Sequence, residues 1–188
     1  MFTRNKAFEE RIRRMRSHGM KSISWDKYRG RLSSYDIEEV GYNYRTSEIP
    51  SALGLVQLRK LEGNNRRRGK RVEAYRRALQ GTEGISIPFS KGWVRPSYHL
   101  FPILVSPSAD RTRVMEKLGL HRIQTSIHFP PVHLFSLYRK EFGYREGMLP
   151  LTEEVSRREI TLPLHPGMRI DDVKWIAEKV KAVIRELP

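Results

Sequence analysis

Residues 160–187 read ITLPLHPGMRIDDVKWIAEKVKAVIREL. The first five form a short apolar run of the kind that makes a strand. Further on, Val173, Ile176, Ala177, Val180, Ile184 and Leu187 recur at spacings of three and four, which predicts one apolar face along a helix. Upstream, comparable apolar runs at 85–88, 98–105 and 123–129 predict three more strands. A helix over about 109–118 is expected from Val114, Met115 and Leu118 on one face, and another begins near Leu151. Residues from about 85 onward therefore predict an α/β unit of the α+β kind, with helices on a small sheet and enough apolar residues to fold alone.

The first 80 residues differ. Residues 7–16 predict a helix with Phe8, Ile12 and Met15 on one stripe, ended at Gly19, which suits a left-handed cap. Residues 20–40 have no sustained period and read as a long loop. Ser47 and Glu48 then open a helix carrying Ile49, Ala52, Leu53, Leu55, Val56, Leu58 and Leu61, with Pro50 tolerable in its first turn. Those positions cover nearly the whole circumference, so this helix expects burial on all sides. The chain offers it too little company for that. A second, basic helix is expected over 64–80, with Val72, Tyr75, Ala78 and Leu79 as its thin apolar side.

Composition narrows the classes. The chain has 188 residues, 38% of them hydrophobic and 30% charged, which excludes wholesale disorder. It has no cysteine, which excludes disulfides, thiolate metal sites and a cysteine nucleophile. No apolar run approaches the roughly 20 residues needed to cross a bilayer, and the opening residues lack the apolar stretch of a signal peptide. A cytoplasmic location is the expectation, with no membrane association. Lys and Arg number 36 against 21 Asp and Glu, a net charge of +15 concentrated at Arg11–Arg16 and Arg66–Arg71. Such a surface attracts nucleic acid only non-specifically, and its runs are equally solvated helix faces or an interface to an acidic partner.

Chemistry-bearing motifs are sparse. There is no phosphate-cradling glycine loop, GxGxxG, HExxH or GxSxG. His128 and His133 flank Phe-Pro-Pro-Val, where two prolines favour an extended backbone; they either line a pocket or are ordinary loop histidines. In Gly-Tyr-Asn-Tyr-Arg at 41–45, Asn43 and Arg45 sit two apart before a helix, which puts both side chains on one side of an extended segment. Together they suit an anion or phosphate; alternatively Arg45 pairs with a carboxylate and Asn43 stabilises a turn.

Six blocks follow in order: RSHGM at 16–20, YDIEEVGYNYRTSEIPSALGLVQLRKLE at 35–62, SYHLFPILV at 97–105, IHFPPVH at 127–133, FGYREGMLPLTEE at 142–154 and ITLPLHPGM at 160–168. Together they closely resemble the C-terminal half of the DegT/StrS-type sugar aminotransferases, pyridoxal-phosphate enzymes of the aspartate-aminotransferase fold (fold type I) that act on nucleotide-linked keto-sugars. The resemblance implies three segments. Residues 1–62 would belong to the cofactor-binding large domain, 63–84 to a basic interdomain helix, and 85–188 to the C-terminal small α/β domain.

It also implies a division of the site. In the family the Schiff-base lysine lies upstream of the equivalent of Met1, and Lys6, downstream of it, cannot substitute. The chain alone is therefore expected not to transaminate, since the lysine both holds the cofactor and shuttles the proton. Asn43 and Arg45 match positions that reach the cofactor phosphate of the neighbouring subunit. His128, Phe129 and His133 match the border of the sugar-nucleotide pocket, with Phe129 standing where tyrosine is more usual. Implied partners are a homodimer mate or a separate large-domain chain, with a nucleotide-sugar and an amino-acid donor as substrates. The other expectation is a non-catalytic binding module or split-enzyme subunit of the same fold, whose basic surface takes an acidic partner or polyanion.

Overall fold

A computed structural model describes residues 3–20, 36–89 and 96–187. It divides into two compact units, Met1–Arg59 and Lys60–Pro188.

In the first unit, helix α1 spans Lys6–Met15 and is capped by the Asn5 side chain, whose Oδ1 accepts from the amides of Ala7 at 3.0 Å and Phe8 at 3.4 Å. It ends at Arg16, and His18 and Gly19 follow in the left-handed region at φ 63° and 72°. The turn docks on residues 37–44: Ser17 pairs antiparallel with Asn43, and Met20 with Ile37. The two backbones touch so closely that a Cβ on Gly41 would lie 2.0 Å from the Gly19 nitrogen. Arg11 and Arg14 both donate to the Glu39 carboxylate, at 3.1 and 3.2 Å. None of the α1 side chains is buried. The loop expected at 20–40 lies, for 21–35, outside the described residues.

Helix α2 runs unbroken over Glu48–Leu79. Two helices were expected here, one carrying Ile49 to Leu61 and a basic one over 64–80. A lone glycine costs a helix only about 1 kcal/mol relative to alanine, too little to break a run flanked by Leu, Glu, Arg and Lys. The carboxyl-terminal half of α2 contributes Val72, Ala74, Tyr75 and Leu79 to the core, whereas Ile49, Leu53, Leu55, Leu58 and Leu61 stay exposed.

The second unit holds a three-stranded antiparallel sheet in the order β1-β2-β3, with β1 at Ile85–Ser86, β2 at Phe101–Val105 and β3 at Glu159–Leu162. Pro102 is tolerated in the central strand because β1 pairs only with Leu104 and Val105, so no bond to it is required there. Phe101, Ile103 and Val105 face inward and β3 is buried throughout. Against them pack α3 (Arg111–Leu120) through Val114 and Leu118, and the last helix, Ile170–Glu186, through Val173, Ile176, Ala177, Val180, Val183 and Ile184. Tyr75 stacks on Phe101 at 4.7 Å and donates its hydroxyl to the Pro163 carbonyl at 2.9 Å; burial pushes its phenol pKa up. Between α3 and β3 the chain forms a 3-10 turn at Val132–Leu134, α4 at Ser136–Phe142 and α5 at Pro150–Arg158; the last helix is α6.

The strand expected at 123–129 does not form. Only Ser126 pairs with Thr161, exchanging both backbone hydrogen bonds at 3.2 and 2.8 Å. The next bonded pairs in that register would be Gln124 with Pro163 and His128 with Glu159. Pro163 has no N–H to give, and the His128 amide donates instead to the Glu159 carboxylate at 2.9 Å. The mixed helix and small antiparallel-sheet architecture is otherwise the one expected.

Candidate functional site

Two cavities lie in the second unit and meet at His128. The larger, about 620 Å³, is lined by His99, Arg122, Gln124, His165, Asp172 and Trp175 among others. The smaller, about 430 Å³, is lined by Phe129, the two prolines, His133, Leu149 and Val155. His128 borders both.

The loop carrying these residues is held by two buried carboxylates. Glu159, on β3, accepts from the His128 amide through Oε2 and from the Thr161 hydroxyl through Oε1; the Thr161 hydroxyl in turn lies 2.9 Å from His128 Nδ1. Glu153, in the first turn of α5, accepts from the amides of Gly147 and Leu149, and from His133 Nε2 at 2.9 Å. Donation by the Gly147 amide holds the Glu153 carboxyl below its ordinary value; burial pulls the other way but is outweighed with help from His133 and Leu149. Gly147 stands at φ 87°, which a side chain would strain.

Of the expected site residues, His128 is exposed on the cavity rim, and Phe129, 68% exposed, meets its ring edge-on at 5.2 Å. A cis peptide joins the two. His133 is buried, with Nε2 committed to Glu153, while its residue still borders the smaller cavity. In the first unit, Asn43 is extended at its pairing with Ser17, and Arg45 Nε donates to Ser17 Oγ at 3.2 Å; both residues are exposed. Neither cavity is lined by a lysine, and no cluster of three His, Asp or Glu suited to a metal exists among the described residues. No helix among them is long and apolar enough to cross a membrane.

Glu153, Glu159 and Thr161 were not expected. The only sequence signal for Glu153 is an acidic residue in a first turn after Gly147 and Pro150; nothing local marks the other two, whose partner lies 31 to 33 residues away.

Residues 1–181 match the DegT/DnrJ/EryC1/StrS aminotransferase family. This chain belongs to that family. Among its relatives are the spore coat polysaccharide biosynthesis protein SpsC of Bacillus subtilis, 32% identical across 97% of this chain and 48% of SpsC, and the UDP-4-amino-4,6-dideoxy-N-acetyl-beta-L-altrosamine transaminase of Campylobacter jejuni, 30% identical across 97% of this chain and 47% of that protein. The structure of Helicobacter pylori PseC, an aminotransferase involved in the biosynthesis of pseudoaminic acid, superimposes with a TM-score of 0.86 at 26% identity, covering 98% of this chain and 48% of PseC. The family member described here thus spans about half the length of the curated relatives it matches.

Proposed function

We propose that the chain is the C-terminal portion of a pyridoxal-phosphate aminotransferase that moves an amino group, from an amino acid such as glutamate, onto a nucleotide-linked keto-sugar for amino-sugar or surface-polysaccharide biosynthesis. The observation that carries this reading is the continuity of the likeness, which runs through 98% of the chain and takes in both units and both cavities. Bound pyridoxal phosphate would take up the amino group and pass it on. The chain's own share is binding and orientation. Asn43 and Arg45 offer an amide and a guanidinium two residues apart, donors that suit the cofactor phosphate of a neighbouring subunit. His128, Phe129 and His133 border the sugar pocket, with Phe129 supplying an apolar face and no hydroxyl. The segments 1–62, 63–84 and 85–188 then correspond to large-domain, interdomain and small-domain parts.

The large-domain part with the Schiff-base lysine is supplied by the rest of a longer chain, a mate or a separate protein, so the 188 residues alone do not transaminate. The check is an absorbance titration with pyridoxal phosphate, then borohydride reduction and peptide mapping. Scattered or absent lysine labelling is expected; one stoichiometrically labelled lysine with a visible cofactor band would overturn the claim of inactivity.

A second reading is favoured by the exposed apolar residues of α2, among them Ile49 at 83% and Leu58 at 65%. It makes the chain a binding module or split-enzyme subunit of this fold, taking an acidic partner. A stoichiometric complex that persists at high salt would support it, whereas binding that salt abolishes would reduce it to non-specific attraction.

A further inference from the structure

The hydrogen bonds joining Glu159, Thr161 and His128 have a direction that follows from counting protons. Thr161 has one hydroxyl proton and donates it to Glu159 Oε1, while Oε2 of that carboxylate accepts the His128 amide at 2.9 Å. With its proton so committed, the hydroxyl meets His128 Nδ1 at 2.9 Å as an acceptor. Nδ1 therefore carries the ring hydrogen, and a neutral imidazole keeps its lone pair on Nε2. No described residue hydrogen-bonds Nε2. Glu159 and Thr161 are each 6% exposed and sit on β3 in register with Leu104 and Pro102, so the sheet holds the relay still. His128 is exposed on the rim of the 620 Å³ cavity, whose wall includes the half-exposed indole of Trp175.

We propose that Glu159 and Thr161 are positioning residues that keep His128 in its Nδ1–H form, so that Nε2 accepts a hydrogen bond from a hydroxyl of the sugar where the two cavities meet at this residue. The inference rests on the keto-sugar reading above and adds the polarity of one contact. A bare imidazole nitrogen repels phosphate and carboxylate oxygens, which an N–H would attract, and it welcomes a hydroxyl donor. The Trp175 indole offers a flat apolar face on which the C–H side of a pyranose can rest. A metal is the other taker for such a lone pair, but no set of accompanying ligands exists among the described residues.

The test is long-range proton–nitrogen NMR on the full nitrogen-15-labelled chain at about pH 8, above the usual imidazole value of about 6.5. The expected spectrum has His128 protonated on Nδ1 and bare on Nε2, both in the unmodified chain and in Thr161→Ser. Thr161→Val, lacking the hydroxyl, moves the proton to Nε2. A proton on Nε2 in the unmodified chain, or exchange between both forms, overturns the relay, and this result stands even if Thr161→Val fails to fold. UDP-N-acetylglucosamine is then added as the probe. It shifts the Nε2 resonance and binds Thr161→Val about five- to tenfold more weakly, the worth of one hydrogen bond. An unmoved Nε2 resonance with the Nδ1–H form intact overturns the hydroxyl contact, and locates the failure in the sugar reading rather than in the relay.

Discussion

Glu153 accepts four contacts from three groups, the nearby amides of Gly147 and Leu149 and the more distant His133 ring, and its charge is what they share. Its carboxyl is held below the ordinary value of 4.5. The unfolded chain therefore takes up a proton at this residue before the folded one does, so the stability it contributes is present above 4.5 and is lost as pH falls through the lower folded value. Glu153→Gln keeps the shape and removes the charge. Its urea midpoint falls at neutral pH, and the gap to the unmodified chain narrows as pH is lowered from about 6 to about 3; a gap that stays constant would sink this account. Gly84 supplies a second prediction at this scale. It stands at φ 79°, and a Cβ there would lie 2.9 Å from Ile184 Cγ2. Gly84→Ala should lose about 1–2 kcal/mol from the left-handed backbone alone, with a further loss from pushing on a core side chain, read as a lowered urea midpoint at unchanged slope. At the candidate site the histidines are legible because a Pro-Pro pair between two imidazoles stands out in a sequence. Glu159 and Thr161 are not, since a hydrogen bond spanning some thirty residues leaves no periodicity, and only the sheet register brings it about.

Among the elements, the helices with a clear apolar face and three of the four strands were legible, whereas α4 over Ser136–Phe142 and the continuity of α2 were not. Helix α6 carries an apolar stripe that tertiary contacts reinforce, so period and burial agree from Val173 to Ile184. The 123–129 run has strand composition, but whether it pairs depends on Pro163 and on the Glu159 side chain, which belong to a different element. The two helices expected, one ending near Leu61 and one over 64–80, are a single helix because the good helix formers around Gly63 outweigh the cost of one glycine. That gives a direct check, because a Cβ on Gly63 would meet nothing within 4 Å. In a continuous helix, Gly63→Ala stabilises by about 0.5–1 kcal/mol; at a helix break with a left-handed glycine the same change destabilises. Circular dichroism during urea unfolding tells the two apart. Helix α3 offers the converse case. The Asp110 side chain accepts from the amides of Thr112 and Arg113 at 2.9 and 3.2 Å, so Asp110→Ala costs about 1 kcal/mol.

Across the whole chain, stability is distributed unevenly. Among the described residues, every side chain of the buried core lies between Val72 and Ile184, all within the second unit. The first unit is held instead by backbone bonds between 15–20 and 37–44 and by the ion pairs of Glu39 with Arg11 and Arg14, whose partly exposed side chains make each worth little. Apolar burial is the dominant favourable term in folding, and segments that bury as little as the described residues of the first unit open at a small fraction of the global free energy. Hydrogen exchange on the isolated chain should therefore be fast at 3–20 and 36–59, the first turns of α2 included, while the amides of β2, β3 and the core-facing turns of α6 exchange only by global unfolding. Equal protection in the two units would contradict this. Covering the exposed residues Ile49, Leu53 and Leu58 with a partner, whether a large-domain chain or a second copy, should slow exchange selectively in the first unit and leave the β2 and β3 amides where they were. A polyanion attracted only by the +15 surface leaves those apolar side chains in water, so it would bind without that protection, and the exchange pattern thereby separates a fitted partner from charge alone.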